Sequence, residues 1–462
     1  MIKVMLFKEI LGTINSLRFM LTLILTVTVF TASAFLFIKK YDQRIVDFQE
    51  LELKRNENLQ DNARHLNKLA RNDQSLIRKP KITELIASGD EKNLPNSVQF
   101  DAFSIDDYAN MNRMNYKLNS FLDMDWIFIV GLIFSFLALV LTFDRISGEK
   151  ESGTLRLQCA NSISRLKIIS AKYLSYMIIL GLVLLIGLVM NLIIVSITLK
   201  IVSSPGFILQ LLITFVLFMI YLSLFLLIGL FISSQVQKSA TSLALSLLLW
   251  TLIVILIPAG GSMIAPKIKK IPSSYEHNQL RRAAQTEIWD NAPKGAGGYW
   301  GTPEYPYMKE RCELINTLDA NRDEYRYIRF NDLLSQVKTA QNLTRLSPYS
   351  LLNYTGVAIA GTGLNAFVDF YERVRIYRLT FRDFIEQKDK EDKESYHYIN
   401  SWHPEGFSSK PVEIQQIPKF NEPGYSIGVA MGQAKLDIIL LILFNLIGFV
   451  LAFGAFVRYD VR

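Results

Sequence analysis

The stretch "FDRISGEKESGTLRLQ" (143–158) follows directly on the apolar run "WIFIVGLIFSFLALVLT" (126–142) and shortly precedes another, "YLSYMIILGLVLLIGLVMNLIIVSITL" (173–199). Hydrocarbon does not dissolve so charged a segment, so it marks a place where the chain leaves a membrane. Whether it is a solvated connector or a docking surface decides what the protein does. A charge run of this kind is ordinarily a solvated face.

Bulk properties agree with a membrane setting. Of 462 residues, 50% are hydrophobic and 12% aromatic. Mean hydropathy is +0.22, too apolar for a soluble chain of this length. The net charge of +8 and pI near 9.1 do not indicate nucleic acid, because the basic residues gather at the edges of apolar runs, where they set orientation.

Six runs are long enough to cross a bilayer: 17–38, 126–143, 173–199, 207–232, 239–258 and 435–457. None carries a charge in its central part. The first is too long for the apolar region of a signal peptide and is read as an uncleaved anchor. Lys3, Lys8, Arg18, Arg145, Lys150, Arg156, Arg165, Lys167, Lys172, Lys238, Arg458 and Arg462 flank the spans on one side. The only short loop on the other side holds Lys200, while Lys39, Lys40 and Arg44 pull the opposite way locally. Lys and Arg in short loops mark the cytoplasmic side, so both termini are expected there.

The expected fold is all-α and polytopic, with six transmembrane helices and two large, mainly helical extracytoplasmic insertions. The cytoplasmic N-terminus and first span occupy 1–38, and a first extracytoplasmic domain 39–125. Four spans with a cytoplasmic loop at 144–172 fill 126–258, a second extracytoplasmic domain 259–434, and the last span with the C-terminus 435–462. Ile45, Phe48, Leu51, Leu59, Leu66 and Leu69 recur at helical intervals and predict an amphipathic helix. Pro80, Gly89 and Pro95 then punctuate an irregular segment. In the second insertion, helical patterns near 274–290, 308–345 and 363–390 flank a Gly- and Pro-rich loop at 291–306, and a Pro-rich extended stretch ends it.

Gly148 and Gly153 have the spacing of the first two glycines of a phosphate-cradling loop, but Thr154 and Leu155 stand where Lys and Ser/Thr are required. Glu149 and Glu151 would repel phosphate. Arg145 and Glu149, four apart, would pair on a helix surface if the second span continued outward, and Gly153 would weaken or end that helix. No Walker A motif occurs anywhere, so the chain is not expected to hydrolyse ATP or to carry a cofactor.

"FDRISGEKESGTLRL" followed by "SRLKIISAKYL" resembles the first cytoplasmic loop of ABC-2 class permeases of ABC transporters, where an F-D-x-I-S-G-E-K-E-x-G-T-L-R-L run precedes an S-R-x-x-x-x-x-x-K segment. "LDMDWIFIVGLIFSFLAL" (122–139) and "SPYSLLNYTGVAIAGTG" (347–363) resemble the sub-branch with large extracytoplasmic insertions, similar to permeases for multicopper enzyme maturation. Outside 80–101 and 347–363 the insertions match weakly. The family usually continues L-R-L-x-L-S-x-P-x-S-R, whereas this chain reads "LRLQCANSISR", with Asn161 and Ile163 near the usual Ser and Pro, which bears on how the end of the segment docks.

The resemblance implies an ATP-driven permease whose loop forms a coupling helix seated in a separate cytoplasmic ABC ATPase dimer, which binds ATP and Mg. Asp144, Glu149, Lys150, Glu151, Gly153, Thr154, Leu155, Arg156 and Arg165 are the implied coupling residues. Glu149, Lys150, Glu151 and Arg156 offer charged contacts, Leu155 and Leu157 an apolar anchor, and Gly153 a sharp change of direction. Six spans are half the usual complement, which implies a second permease copy or a paralogue. A bacterial cytoplasmic (inner) membrane and a periplasmic or lipoprotein partner complete the expectation. Small residues in "GLVLLIG" (181–187) could serve such a dimer, though they more often serve contacts within one chain.

Other chemistries are thinly represented. His65, His277, His397 and His403 form no zinc motif, and His397 and His403, with Glu394, are read as ordinary surface residues before a metal site. Cys159 and Cys312 fall on opposite sides in this topology and cannot bridge within one chain. Asn191 is the outstanding polar residue in a span and is expected to bond to a neighbouring helix. Spans without a polar pocket favour an amphiphilic substrate. A membrane-anchored scaffold or sensor without transport is the competing reading, since more than half the chain lies in the insertions, and ATP-driven conformational work on an outer partner lies between the two.

Overall fold

The computed structural model describes residues 2–89, 94–95, 97–106, 124–160, 164–200, 204–296, 306–421 and 426–458. Asn161 and Ile163, where the sequence departs from the family pattern, lie outside them, as does the side chain of Cys159.

Six helices are long and apolar enough to cross a membrane, one for each predicted run. After a short helix α1 (Ile2–Ile14), α2 runs unbroken from Leu17 to Asn62. Its 46 residues reach about 69 Å at 1.5 Å per residue, twice the hydrocarbon thickness. The first span and the amphipathic helix expected behind it are thus one element, because no Gly or Pro interrupts 17–62. Ser16 caps it, accepting from the Phe19 amide at 3.3 Å. Beyond the apolar part Arg44 is buried and paired with buried Glu84, so one of the cations that opposed the orientation pattern is held by packing.

The remaining spans are α4 (126–142), α7 (Arg165–Leu199), α8 (Pro205–Gln235), α9 (Ser239–Ile268) and α14 (Ile427–Arg458). Asp125 caps α4, accepting from the Phe128 amide at 2.8 Å and from the Ser88 amide at 2.8 Å. Asn191 of α7 is buried and does what was expected of it, donating to Phe30 O of α2 at 2.7 Å and accepting from Trp126 Nε1 at 3.1 Å. The small residues at 181–187 serve this chain: a Cβ on Gly187 would lie 2.4 Å from the Phe30 ring, and one on Gly181 2.8 Å from Met219 Cε.

Two spans are locally unwound into the wider π-helix, Ile129–Phe134 in α4 and Thr251–Leu256 in α9. Such turns release a carbonyl from the regular ladder. Gly131 O is met by Ser135 Oγ at 2.6 Å and Tyr221 Oη at 2.7 Å, and Trp250 Nε1 donates to Ser135 Oγ at 2.9 Å. Ile253 O accepts from Ser347 Oγ at 2.6 Å. Ser347 precedes α12 (Pro348–Ala360), the "SPYSLLNYTGVAIAGTG" segment, which is wedged into the bundle with Leu351 and Leu352 fully buried. A Cβ on Gly131 would sit 2.5 Å from the Tyr349 ring, so glycine at this turn lets α12 approach.

The two insertions build one head rather than two domains. Between α3 (Leu66–Arg71) and the second span lies an antiparallel pair the sequence did not reveal, β1 (Gln74–Ile77) with β2 (Ser97–Phe100), Leu76 opposite Val98. Leu69, Val98 and Phe103 of the first insertion share a core with Phe367, Tyr371, Phe381 and Ile385 of α13 (Gly363–Lys390) in the second. Backbone bonds close the seam, Leu66 N to Lys410 O at 3.0 Å and Val412 N to Ala63 O at 2.8 Å. The two segments that best resemble the family also meet: Thr83 Oγ1 donates to Ala360 O at 2.6 Å, and Thr362 Oγ1 to Ala87 O at 2.7 Å. Helices α10 (Ser274–Asp290) and α11 (Met308–Thr344) complete the head. It stands at the opposite end of α2 from residues 143–160.

Burial pushes the Asp101 carboxyl in the head up to about 6, against amide donation from Phe103 and Ser104 that favours the charged form. A carboxyl raised on folding binds its proton more tightly in the native state, so it favours folding below its unfolded value of 3.8 and this contribution is lost as pH rises toward 6. Asp101→Asn keeps the side-chain acceptor and removes the titration. The unfolding free energy of the wild-type chain in detergent is expected to fall by about 2 kcal/mol between pH 4 and 6 relative to the variant, read as a lowered thermal midpoint; parallel profiles would show that Asp101 titrates as an ordinary surface group.

Candidate functional site

Residues 143–160 fold back against the bundle as two short helices. Helix α4 ends in a turn at 143–146, α5 covers Ser147–Glu151, and α6 covers Thr154–Ala160. The second span does not continue outward as one helix, so the expected Arg145–Glu149 pair does not form. Arg145 lies instead 3.5 Å from Asp144 Oδ1, donates to Leu141 O at 3.0 Å and rests over the Tyr176 ring.

The start of α5 is held by hydroxyls. The amides of Ile146 and Ser147 both donate to Ser233 Oγ of α8, at 3.0 and 2.9 Å, satisfying N–H groups that a helix start leaves open. Phe143 O accepts from Ser147 Oγ at 3.1 Å and from Ser242 Oγ of α9 at 2.5 Å. Asp144 binds Arg18, at the start of α2, at 2.6 Å.

The charges then divide between an inner and an outer face. Glu149 turns inward, where its Oε1 accepts from Lys172 Nζ at 2.6 Å and Gln158 Nε2 at 3.0 Å. Lys172, on α7, is only 2% exposed and also binds Glu9 of α1 at 2.9 Å. One buried ammonium therefore ties α1, α5 and α7 together, with two carboxylates about it. Lys150 donates to Ser234 O and, at 3.2 Å, to Val236 O, capping the last turn of α8 with a cation, as the helix dipole favours. Arg165 does the same for α14, donating to Val457 O at 2.6 Å.

Leu155, expected to anchor a partner, is 2% exposed and packs against Ile146, Ile168, Ile169 and Phe456 of its own chain. Its burial follows from the reversal at Gly153, whose φ of +71° strains any residue with a Cβ, although the space around it is open. Leu157 is the apolar residue left outward, 71% exposed, beside exposed Arg156. Glu151 and Thr154 are exposed as well; Glu151 accepts from Ser239 Oγ at 2.6 Å, and Thr154 Oγ1 lies 2.9 Å from Ser152 Oγ. The nine residues of interest thus split into an outer set of Glu151, Gly153, Thr154 and Arg156 and an inner set of Asp144, Glu149, Lys150, Leu155 and Arg165. Sequence reading assigned no role to Glu9 or Ser233 and counted Lys172 as an orientation charge. A lysine inside the apolar run "IISAKYLSYMII" was the available signal.

Elsewhere, His397 Nδ1 lies 2.8 Å from buried Asp389 and Arg311 Nε donates to His403 Nε2 at 3.4 Å, so each ring is engaged within the head. Among the described residues no three His, Cys, Asp or Glu side chains are grouped to hold a metal ion.

Lys172→Met should leave two facing carboxylates without their cation and lower stability by about 3 kcal/mol. Adding Glu149→Gln should recover part of it in thermal unfolding, and a double variant no better than the single would remove Lys172 as the centre of the network.

No curated protein matches the chain. The family described as "ABC-2 family transporter protein" matches residues 4–461, nearly its full length, and includes the folded-back segment, all six apolar helices and the head. The chain belongs to the ABC-2 family of transporter proteins.

Proposed function

We propose that the chain is the membrane-spanning permease of an ATP-driven transporter, in which the outer face of α5 and α6 docks on a separate cytoplasmic ABC ATPase that binds ATP and Mg. The division of 143–160 into two faces carries this reading. A merely solvated loop would not be clamped through Lys150 and Ser233 to α8, through Glu149 and Lys172 to α7, and through Leu155 to α14. The outer face exposes Glu151, Thr154, Arg156 and Leu157, an apolar residue among charges as a rim-and-core contact needs. The inner residues act as positioning groups that carry force from α5 and α6 into the spans.

In this reading both termini and 144–172 are cytoplasmic, the head is extracytoplasmic, and the membrane is the bacterial inner membrane. A second permease copy or a paralogue completes the transporter, as the family likeness suggests. The sub-branch similar to multicopper-enzyme-maturation permeases is favoured by 347–363, the segment that forms the wedge α12. The unbroken α2, which joins the bundle to the head, favours conformational work on a periplasmic or lipoprotein partner alongside export.

Docking is tested by co-purification. Arg156→Glu with Leu157→Asp should reduce recovery of the ATPase about tenfold while leaving the thermal midpoint of the permease within about 1 °C, as expected of exposed sites; undiminished recovery would remove this face as the interface. Glu149→Lys should lower the midpoint itself, because it sets a second cation against Lys172.

Sidedness is tested with introduced cysteines. Burial pushes the Cys312 thiol up to about 11, so the native residue is a poor reporter. Tyr275→Cys, at a position 70% exposed in the head, should react with a membrane-impermeant maleimide on intact cells, and Leu157→Cys only after permeabilisation. The reverse pattern would invert the topology.

A further inference from the structure

A cavity of about 430 Å³ opens sideways between α7, α8 and α14, within the size range of small-ligand sites. Its walls are apolar, with Met177, Met219 and Phe449 among them, and three polar side chains interrupt them: Tyr173, Ser223 and Asn445. Tyr173 Oη and Ser223 Oγ lie 2.6 Å apart, so one hydroxyl donates to the other and the second keeps a proton to give. Asn445 Nδ2 donates to Ile220 O at 2.9 Å and Leu441 O at 3.0 Å, using both of its N–H bonds. Its Oδ1 is buried and accepts no hydrogen bond. Ile220 is one turn of α8 from Ser223, so the open donor and the open acceptor face the same groove.

Depth matters here. Ser223 lies about 18 Å from the end of α8 and Asn445 about 20 Å from the end of α14, at 1.5 Å per residue. Counted from the ends of the apolar runs at 232 and 457 the depths are about 14 and 18 Å, near the middle of a hydrocarbon layer about 30 Å thick, and Tyr173 reaches toward Ser223 from the start of the run 173–199. An ordinary acyl chain can fill the volume but leaves both polar groups unmet, a costly state where no water competes. A leucine or phenylalanine from a second copy of the chain leaves them unmet in the same way. A hydroxyl donates and accepts at once and answers both.

We propose that this groove binds a membrane amphiphile whose apolar tail carries a hydroxyl, the tail lying along Met219 and Phe449 and the hydroxyl bridging Asn445 Oδ1 and the Tyr173–Ser223 pair. The proposal names the substrate class of the permease and rests on that reading only for the word substrate; binding is measured independently of transport.

The full chain is placed in phosphatidylethanolamine nanodiscs containing a trace of a diazirine-bearing fatty acyl lipid with a mid-chain hydroxyl, or the same lipid without it, and the photoadducts are mapped by mass spectrometry. The hydroxylated probe should label α8 and α14 at the groove about tenfold more than the plain probe, the factor expected for one hydrogen bond. Asn445→Leu should bring it down to the plain level, and Val216→Trp, which fills the groove from a half-exposed position, should abolish labelling by both. Unchanged thermal midpoints show that the variants are folded. Labelling spread evenly over the lipid-facing helices, labelling indifferent to both substitutions, or adducts joining two copies of the chain at this face would each overturn the proposal. Recovery of the ATPase from the same preparations separates the two readings, since labelling can fail while the ATPase is retained, and the reverse.

Discussion

Inside a hydrocarbon layer a backbone N–H or C=O has no water to turn to, and the arrangement of this protein follows from how each such group is met. Where the ladder is regular the helix meets its own needs. Where it is interrupted, a side chain from another helix is required, and these side chains fix the packing. The π turn of α4 exposes Gly131 O and obtains Tyr221 from α8; the π turn of α9 offers Ile253 O and obtains Ser347 from the approach to α12. The broken end of α4 exposes Phe143 O and obtains Ser242 from α9. Hydroxyls serve in most of these places because they are short and rotate to suit, so they close a gap without adding charge.

At the charged end the same demand is met by cations. Lys150 and Arg165 end α8 and α14, and Lys172 holds Glu9 and Glu149. A buried ion pair contributes little net stability against apolar residues of equal size, yet losing one partner is costly. Such a network is therefore weak evidence for stability and better evidence for position: it allows one placement of α5 and resists others. Two carboxylates about a single ammonium leave the cluster formally anionic, and Glu149 Oε2 is buried without a hydrogen bond. With Asp144 Oδ1, also buried without a hydrogen bond, it marks where the segment is most sensitive to a displacement of α5.

Much of this was legible beforehand. Six apolar runs gave six helices because length and hydropathy suffice when the solvent is lipid. Gly153 could be read as a reversal because a positive φ leaves a residue-type signature. What failed was the assignment of faces. Glu149 and Leu155 look like surface residues beside Glu151 and Leu157, and only the fold decides which pair turns inward. The shared core of the head was hidden for a related reason: Leu69 and Phe381 are separated by four spans in sequence, and periodicity says nothing about partners. The strands β1 and β2 were missed because four-residue strands amid Pro and Gly carry too little pattern.

The geometry limits what a force on the outer face of α5 and α6 can do. Leu155 and Lys150 tie that segment to α7, α8 and α14, and Arg165 joins α7 to α14, so it cannot swing alone; the ends of these helices must follow. Helix α2 meets the same end through the Arg18–Asp144 pair and continues for about 69 Å into the head. A continuous helix is stiff along its axis, so displacement at one end reaches the head with little loss. The π turns are where compliance lies, because a ladder already interrupted can change register at lower cost than an intact one. Both touch the region where α12 enters, through Tyr349 at Gly131 and Ser347 at Ile253. The wedge therefore sits where a stiff element and two compliant ones converge, and its clasp on Thr83 and Ala87 passes any tilt directly to the head.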